Sequence, residues 1–205
     1  MDLQKIFVDT LTQFSQNRQQ VDGCWNEIEK HYTKRKRYYH NLSHLQTILL
    51  ILQEHKKIIA DWNTLVFSVF YHDIIYNVLK NDNEEQSALL AQKRLLAANV
   101  PLQMADNCRE QILATKAHAK SANADANLFT DADLCILGKS PGDYETYSKQ
   151  IRKEYAYFPD ILYKPGRRKV LQHFLDMPRI YKTTQFFHAF EPQARQNLQW
   201  ELEAL

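Results

Sequence analysis

Three places in this chain have residue types and spacing that suit the holding of a cation. His40 and His44 stand four apart at the lip of an apolar stretch, RYYHNLSHLQTILLIL, residues 37–52. His72 and Asp73 are adjacent inside LVFSVFYHDIIYNVL, residues 65–79, an apolar run broken otherwise only by Ser68 and Asn77. Asp131 and Asp133 fall in FTDADLCILG, residues 129–138, beside Leu134, Cys135 and Leu137, which read as core. A helix that is apolar on all sides must be buried, and an imidazole beside a carboxylate is expensive there unless each has a partner. A cation to one side takes a nitrogen from His72 and an oxygen from Asp73, a mixture that borderline divalent metals accept. A core histidine hydrogen-bonded to its neighbouring aspartate is the alternative that the dipeptide leaves open. Asp131 is explained as a helix N-cap. Asp133, placed inside the helix, needs a counter-charge.

The elements that must position these residues are helical. Apolar residues recur at three- and four-residue spacing through a chain with only 4 glycines, and this predicts an all-α fold. Helices are expected over 3–16, 22–33, 43–57, 62–79, 84–98, 102–118, 131–138, 143–156, 167–176 and 191–204. Start signals support several: Asn41 or Ser43 before His44, Asn83 before EEQSALLAQKRLL, Pro101, and Pro141 before GDYETYSKQI. Gly138 and Gly166 read as stops or turns. No repeat and no Gly-, Pro- or Ser-rich linker interrupts the 205 residues, so one domain is expected.

Composition narrows the classes. With 44% hydrophobic residues the chain can bury a sizeable core, and 26 Lys+Arg against 24 Asp+Glu leave a net charge of +2, too small to advertise nucleic acid or membrane. Cys24, Cys108 and Cys135 are odd in number and widely spaced, and they read as reduced thiols. The start, MDLQKIFVDTLTQF, lacks the apolar region of a secretory signal, and ILLIL at 48–52 is far too short to span a bilayer. A soluble cytoplasmic protein is the expectation.

The order H…HD…D, from His44 through His72-Asp73 to Asp133, resembles the HD superfamily of metal-dependent phosphohydrolases. YHNLSH is also similar to the YHNxxH signature of cyclic-nucleotide phosphodiesterases, in which the second histidine binds metal and the first gives a proton to the leaving group. The closest likeness is to a small bacterial family of HD-type phosphohydrolases sharing YHNLSH, FYHDIIY, DNEEQSA, ILATKAH, DADLCILG and AFEPQARQNLQWEL, spread over residues 35–205. The resemblance implies an HD-domain helical bundle over 1–205, with a metal-site core about 35–140 and C-terminal helices 141–205. It implies His44, His72, Asp73 and Asp133 as metal ligands, with Asp131 as the competing choice for the last. It also leaves Glu85 a role as an acid/base group or as support for the ligands. Mn²⁺, Mg²⁺, Fe²⁺, Co²⁺, Ni²⁺ and Zn²⁺ all suit such a set.

The other candidates come from position. His40 shares a helix face with His44 if the local chain is helical, close to the metal without ligating it; a turn at Asn41-Leu42-Ser43 would swing it elsewhere. His118 is read as a ligand to a second metal, a phosphate contact, or a plain helix-terminal histidine. Arg37 and Arg168, from KRKR and from the basic residues around Pro165-Gly166, are candidates to grip phosphate, since a guanidinium holds two oxygens at once. The expected reaction is hydrolysis of a phosphate ester, a nucleotide or other small phosphorylated metabolite, by a metal-activated water, with monoester and diester substrates not distinguished. His40 would act as proton donor, and Asp73 or Asp133 would orient the water. Two other classes stay open: a nucleotide-binding or regulatory protein without turnover, and an RNA-binding module built on KHYTKRKRYYH. The near-neutral charge weighs against the last. QFFHAF reads either as core or as the face of a homodimer.

Overall fold

The computed structural model describes residues 1–205 and is built from ten α-helices and two short 3₁₀ turns, with no strand. The chain divides into two compact units, Met1–Thr130 and Asp131–Leu205. In the first unit lie α1 (Leu3–Leu11), α2 (Arg18–Tyr32), α3 (Leu42–Glu54), α4 (Trp62–Tyr71), α5 (Asn83–Ala97) and α6 (Leu102–Ala117). The division falls inside α7 (Ala124–Asp133). This explains why no linker marks it in the sequence. The second unit continues with a 3₁₀ turn (Leu134–Gly138), α8 (Pro141–Glu154), α9 (Asp160–Asp176) and α10 (Thr184–Ala204).

α4 is the central helix of the first unit, packing on α1, α3, α5 and α6. All of Thr64–Tyr71 is buried, as its unbroken apolar pattern requires. Phe7 of α1 meets the rings of Trp25, Phe67, Phe70 and Tyr71 at 5.2–6.3 Å, and each such burial is worth about 1.5–3 kcal/mol. Ser68, the polar interruption, donates to Gln111 of α6 at 2.7 Å, so it adds no unpaired group to the core. Asp2, Asn17, Asn41, Asp61 and Ser140 cap their helices by accepting backbone N–H groups. All three cysteines are buried and free.

Several helix boundaries differ from the sequence expectation: the 3–16 helix ends at Leu11, the 22–33 helix starts at Arg18, and larger shifts have identifiable causes. The 62–79 helix stops at Tyr71. Beyond it the backbone of Ile75 bonds to Ser87 Oγ and that of Asn77 to the Asn83 side chain, so side chains of α5 take the groups a continuing helix would use. The 131–138 helix instead starts at Ala124, and Asp131 is no N-cap. Asp125, Asn127 and Thr130 hid the start because they are polar yet buried, with Asp125 accepting from Ala60 and Asp61, and Asn127 pairing with Ser121. α9 and α10 run through Pro165 and Pro192, so Gly166 marks no turn. Gly138 does close the 3₁₀ turn, and there a Cβ would stand 2.6 Å from Phe190; only hydrogen fits this approach.

Candidate metal centre

The site grows from three chain segments. Asn41 caps α3 by accepting from Ser43 at 2.8 Å, which sets His44 in the first turn with its ring turned inward, 5% exposed. His40 lies before that cap in a bend. The expected shared helix face therefore does not exist, yet the two rings are neighbours, with centroids 5.7 Å apart. His72 terminates α4, 1% exposed, and Asp73 follows in the turn.

The orientation of His72 is fixed by its own helix. Its Nδ1 lies 2.9 Å from the carbonyl oxygen of Val69, and a carbonyl only accepts, so Nδ1 carries the proton and Nε2 presents a lone pair. That lone pair faces His44 Nε2 at 3.3 Å and Asp73 Oδ2 at 3.1 Å. An acceptor facing a carboxylate oxygen is repulsive unless a proton or a cation stands between them. His40 Nε2 approaches the same Asp73 oxygen at 3.9 Å. Burial opposes ionisation of Asp73, but positive charge on His72, His40 and His44 outweighs it and holds the carboxyl far below the usual carboxylate range; a cation among neutral rings would act in the same direction.

α7 brings the last oxygen. Asp125 anchors this helix by accepting the N–H groups of Ala60 and Asp61 at 3.0 and 2.8 Å. Phe129, one turn on, meets the His72 ring edge-on at 5.5 Å. Asp133 is one further turn along the same helix face. One nitrogen each from His44 and His72 and one oxygen from Asp133 lie within 4.8 Å of one another, a group able to hold a metal ion. The donor set fits a borderline divalent cation, two neutral imidazoles with a carboxylate. The Val69 carbonyl supplies the second contact that metal-binding imidazoles ordinarily have.

Asp131, the competing choice, is occupied elsewhere. Fully buried, it accepts from the backbone N–H of Lys182 and Thr183 and from the Thr183 hydroxyl at 2.8–3.1 Å, and Lys182 Nζ stands 3.6 Å away. Its carboxylate serves the chain entering α10.

The remaining candidates are dispersed. Glu85 is bound by Lys116, and that hydrogen bond holds its carboxyl below the ordinary value. Burial pushes the carboxyl of its neighbour Glu84 up, and the negative charge of Asp73 adds to this. His118 forms the left-handed C-cap of α6, at φ 48°. Arg37 is 7% exposed, with donors on the carbonyls of His40 and Ile74. Arg168 is exposed on α9, while Arg167 beside it is buried against Glu201 at 2.8 Å. Two contributors escaped the sequence reading, Tyr32, whose hydroxyl accepts the Asp73 N–H at 3.2 Å, and Tyr76, whose ring lies 4.4 Å from that of His40. Tyr76 had a signal, three residues past Asp73 in FYHDIIY; Tyr32 had none.

No family model, curated protein or solved structure compared with the chain matches it. No helix is long and apolar enough to cross a membrane.

Proposed function

We propose that this chain is a metal-dependent hydrolase of phosphate esters of the HD type, acting on a nucleotide or other small phosphorylated metabolite. The observation that carries the proposal is the lone pair of His72 Nε2, held by the Val69 carbonyl to face both His44 Nε2 and Asp73 Oδ2. Positive charge belongs there, and a divalent cation on His44, His72 and Asp133 provides it, while Asp73, expected as a fourth ligand, lies outside that group with its Oδ2 3.1 Å from His72 Nε2. When bound, such an ion lowers the pKa of a coordinated water and draws charge from phosphoryl oxygens.

The residues around the ligands supply the other parts. Asp73, held ionised, accepts a hydrogen bond from the attacking water and so orients it. His40 Nε2 lies 3.9 Å from that carboxylate, and its side chain is 20% exposed. It is placed to give a proton to the departing oxygen. The motifs YHNLSH and FYHDIIY, through which the chain resembles HD phosphohydrolases, supply His40, His44, His72 and Asp73.

The test is release of phosphate or nucleoside from a panel of nucleotides, cyclic nucleotides and sugar phosphates with Mn²⁺, comparing wild type with His72→Ala. Turnover that needs the metal and disappears in the variant is the expected result. A wild type that retains Mn²⁺ and binds a nucleotide but converts none of the panel would overturn it, leaving a binding protein.

A further inference from the structure

Arg37 is built unlike a residue that meets substrate. Its guanidinium lies 4.7 Å from the ring centre of Tyr32 and 5.3 Å from that of Tyr76. Nη1 donates to the carbonyl of His40 at 3.1 Å and Nη2 to that of Ile74 at 2.9 Å. His31 Nδ1 gives the Ile74 carbonyl a second hydrogen bond at 2.7 Å. Both carbonyls belong to irregular chain, the bend before α3 and the turn after α4, where no helix supplies a donor. One rigid planar fork therefore joins the main chain of His40 to the residue following Asp73. The rings beside it touch the same two residues, Tyr32 through the Asp73 N–H and Tyr76 through the His40 ring.

We infer that Arg37 is a positioning residue of the proposed hydrolase: it sets His40 against Asp73 and makes no contact with substrate. This inference rests on the hydrolase reading. Lysine at this position keeps the charge but cannot reach both carbonyls. Arg37→Lys is therefore expected to retain the fold and Mn²⁺ affinity, because the hydrogen bonds of Arg37 go to the main chain of His40 and Ile74 and not to His44, His72 or Asp133. Its kcat should fall on the order of 10- to 100-fold at little-changed KM, the effect of misplacing an acid by a fraction of an ångström to an ångström.

The decisive comparison is with His40→Asn. If Arg37 acts through His40, the double variant turns over no more slowly than His40→Asn alone. A rise in KM at unchanged kcat makes Arg37 a substrate ligand and overturns the inference, as does a loss that adds in full to that of His40→Asn. Amide hydrogen exchange gives a reading free of turnover. Exchange over residues 38–41 and 73–76 should speed up in Arg37→Lys while α8–α10 keep their protection, and unchanged exchange at both segments overturns the positioning role. An inactive wild type with accelerated exchange in the variant removes the hydrolase reading alone. If Arg37→Lys does not fold, Tyr76→Leu removes the ring between Arg37 and His40 and should lower kcat in the same His40-dependent way; a full loss of kcat additivity with His40→Asn is again the supporting result, and full additivity the opposing one.

Discussion

Each unit buries a cluster of charged and aromatic side chains, and the two clusters are finished differently. In the second unit Arg167 donates twice to Glu201, both bonds 2.8 Å, Tyr144 donates to the same carboxylate at 2.6 Å, and the Tyr147 ring lies 5.6 Å from the guanidinium. Charge meets charge and donors meet acceptors, so the cluster asks for nothing more. In the first unit His44 Nε2 and Asp73 Oδ2 both approach His72 Nε2, at 3.3 and 3.1 Å, while His72 Nδ1 is taken by the Val69 carbonyl. Burial is similar in both; the second joins α8, α9 and α10, while His44 and His72 of the first belong to a group able to hold a metal ion. Whether the partners within a buried polar cluster complement one another separates a structural role from a binding one better than burial does.

The contrast can be broken most forcefully in the closed cluster. Glu201→Ala leaves Arg167 buried without its counter-charge and should cost about 3–5 kcal/mol in thermal or denaturant unfolding, whereas Arg167→Met with Glu201→Leu should recover most of that loss. The open cluster should respond to an ion instead: Mn²⁺ at about a hundredfold its Kd is expected to stabilise the wild type by about 2.7 kcal/mol. Chelation should reverse the gain, and His44→Ala should show none; equal stabilisation of that variant would place the ion elsewhere. Gly138→Ala probes how tightly the second unit is closed, since the added methyl meets Phe190 at 2.6 Å. A loss of about 1–3 kcal/mol is expected, and a neutral result would show that the turn can shift.

The smallest effect belongs to a half-exposed pair in the first unit. Arg94 donates to both oxygens of Glu27 at 2.7 and 2.8 Å, and this hydrogen bonding holds the Glu27 carboxyl below its ordinary value of 4.5. A depressed carboxyl contributes stability that is whole above the unfolded value and is lost as pH falls through the folded one. Near neutral pH, Glu27→Gln should therefore cost about 0.2–1 kcal/mol, fading on acidification below 4.5.

The helical class and most start signals were legible in the sequence because they depend on periodicity and on local capping residues such as Asn41 and Pro141. His72, Asp73 and Asp133 stood out because an apolar surrounding cannot tolerate them alone, the resemblance joined His44 to them as a ligand set, and the structure groups His44, His72 and Asp133. The ends of helices were harder to read. Where α4 stops depends on Ser87 and Asn83, more than ten residues onward, taking over its backbone partners. Where α7 starts depends on Asp125 meeting amide groups some sixty residues earlier in the chain. Arg37 was read as a candidate phosphate ligand and Tyr32 was missed, for the same reason. Their partners are main-chain groups of other segments, and no side-chain pattern announces a bond to a carbonyl.

Tyr32 has a consequence for how this chain can vary over generations. One face of its ring takes the Arg37 guanidinium, and its hydroxyl takes the Asp73 amide. A change to phenylalanine keeps the first contact and drops the second, while an aliphatic residue drops both. Positions 32 and 37 are thus bound to a common fate, and lineages descending from such a chain should be found to alter the two together or to alter neither.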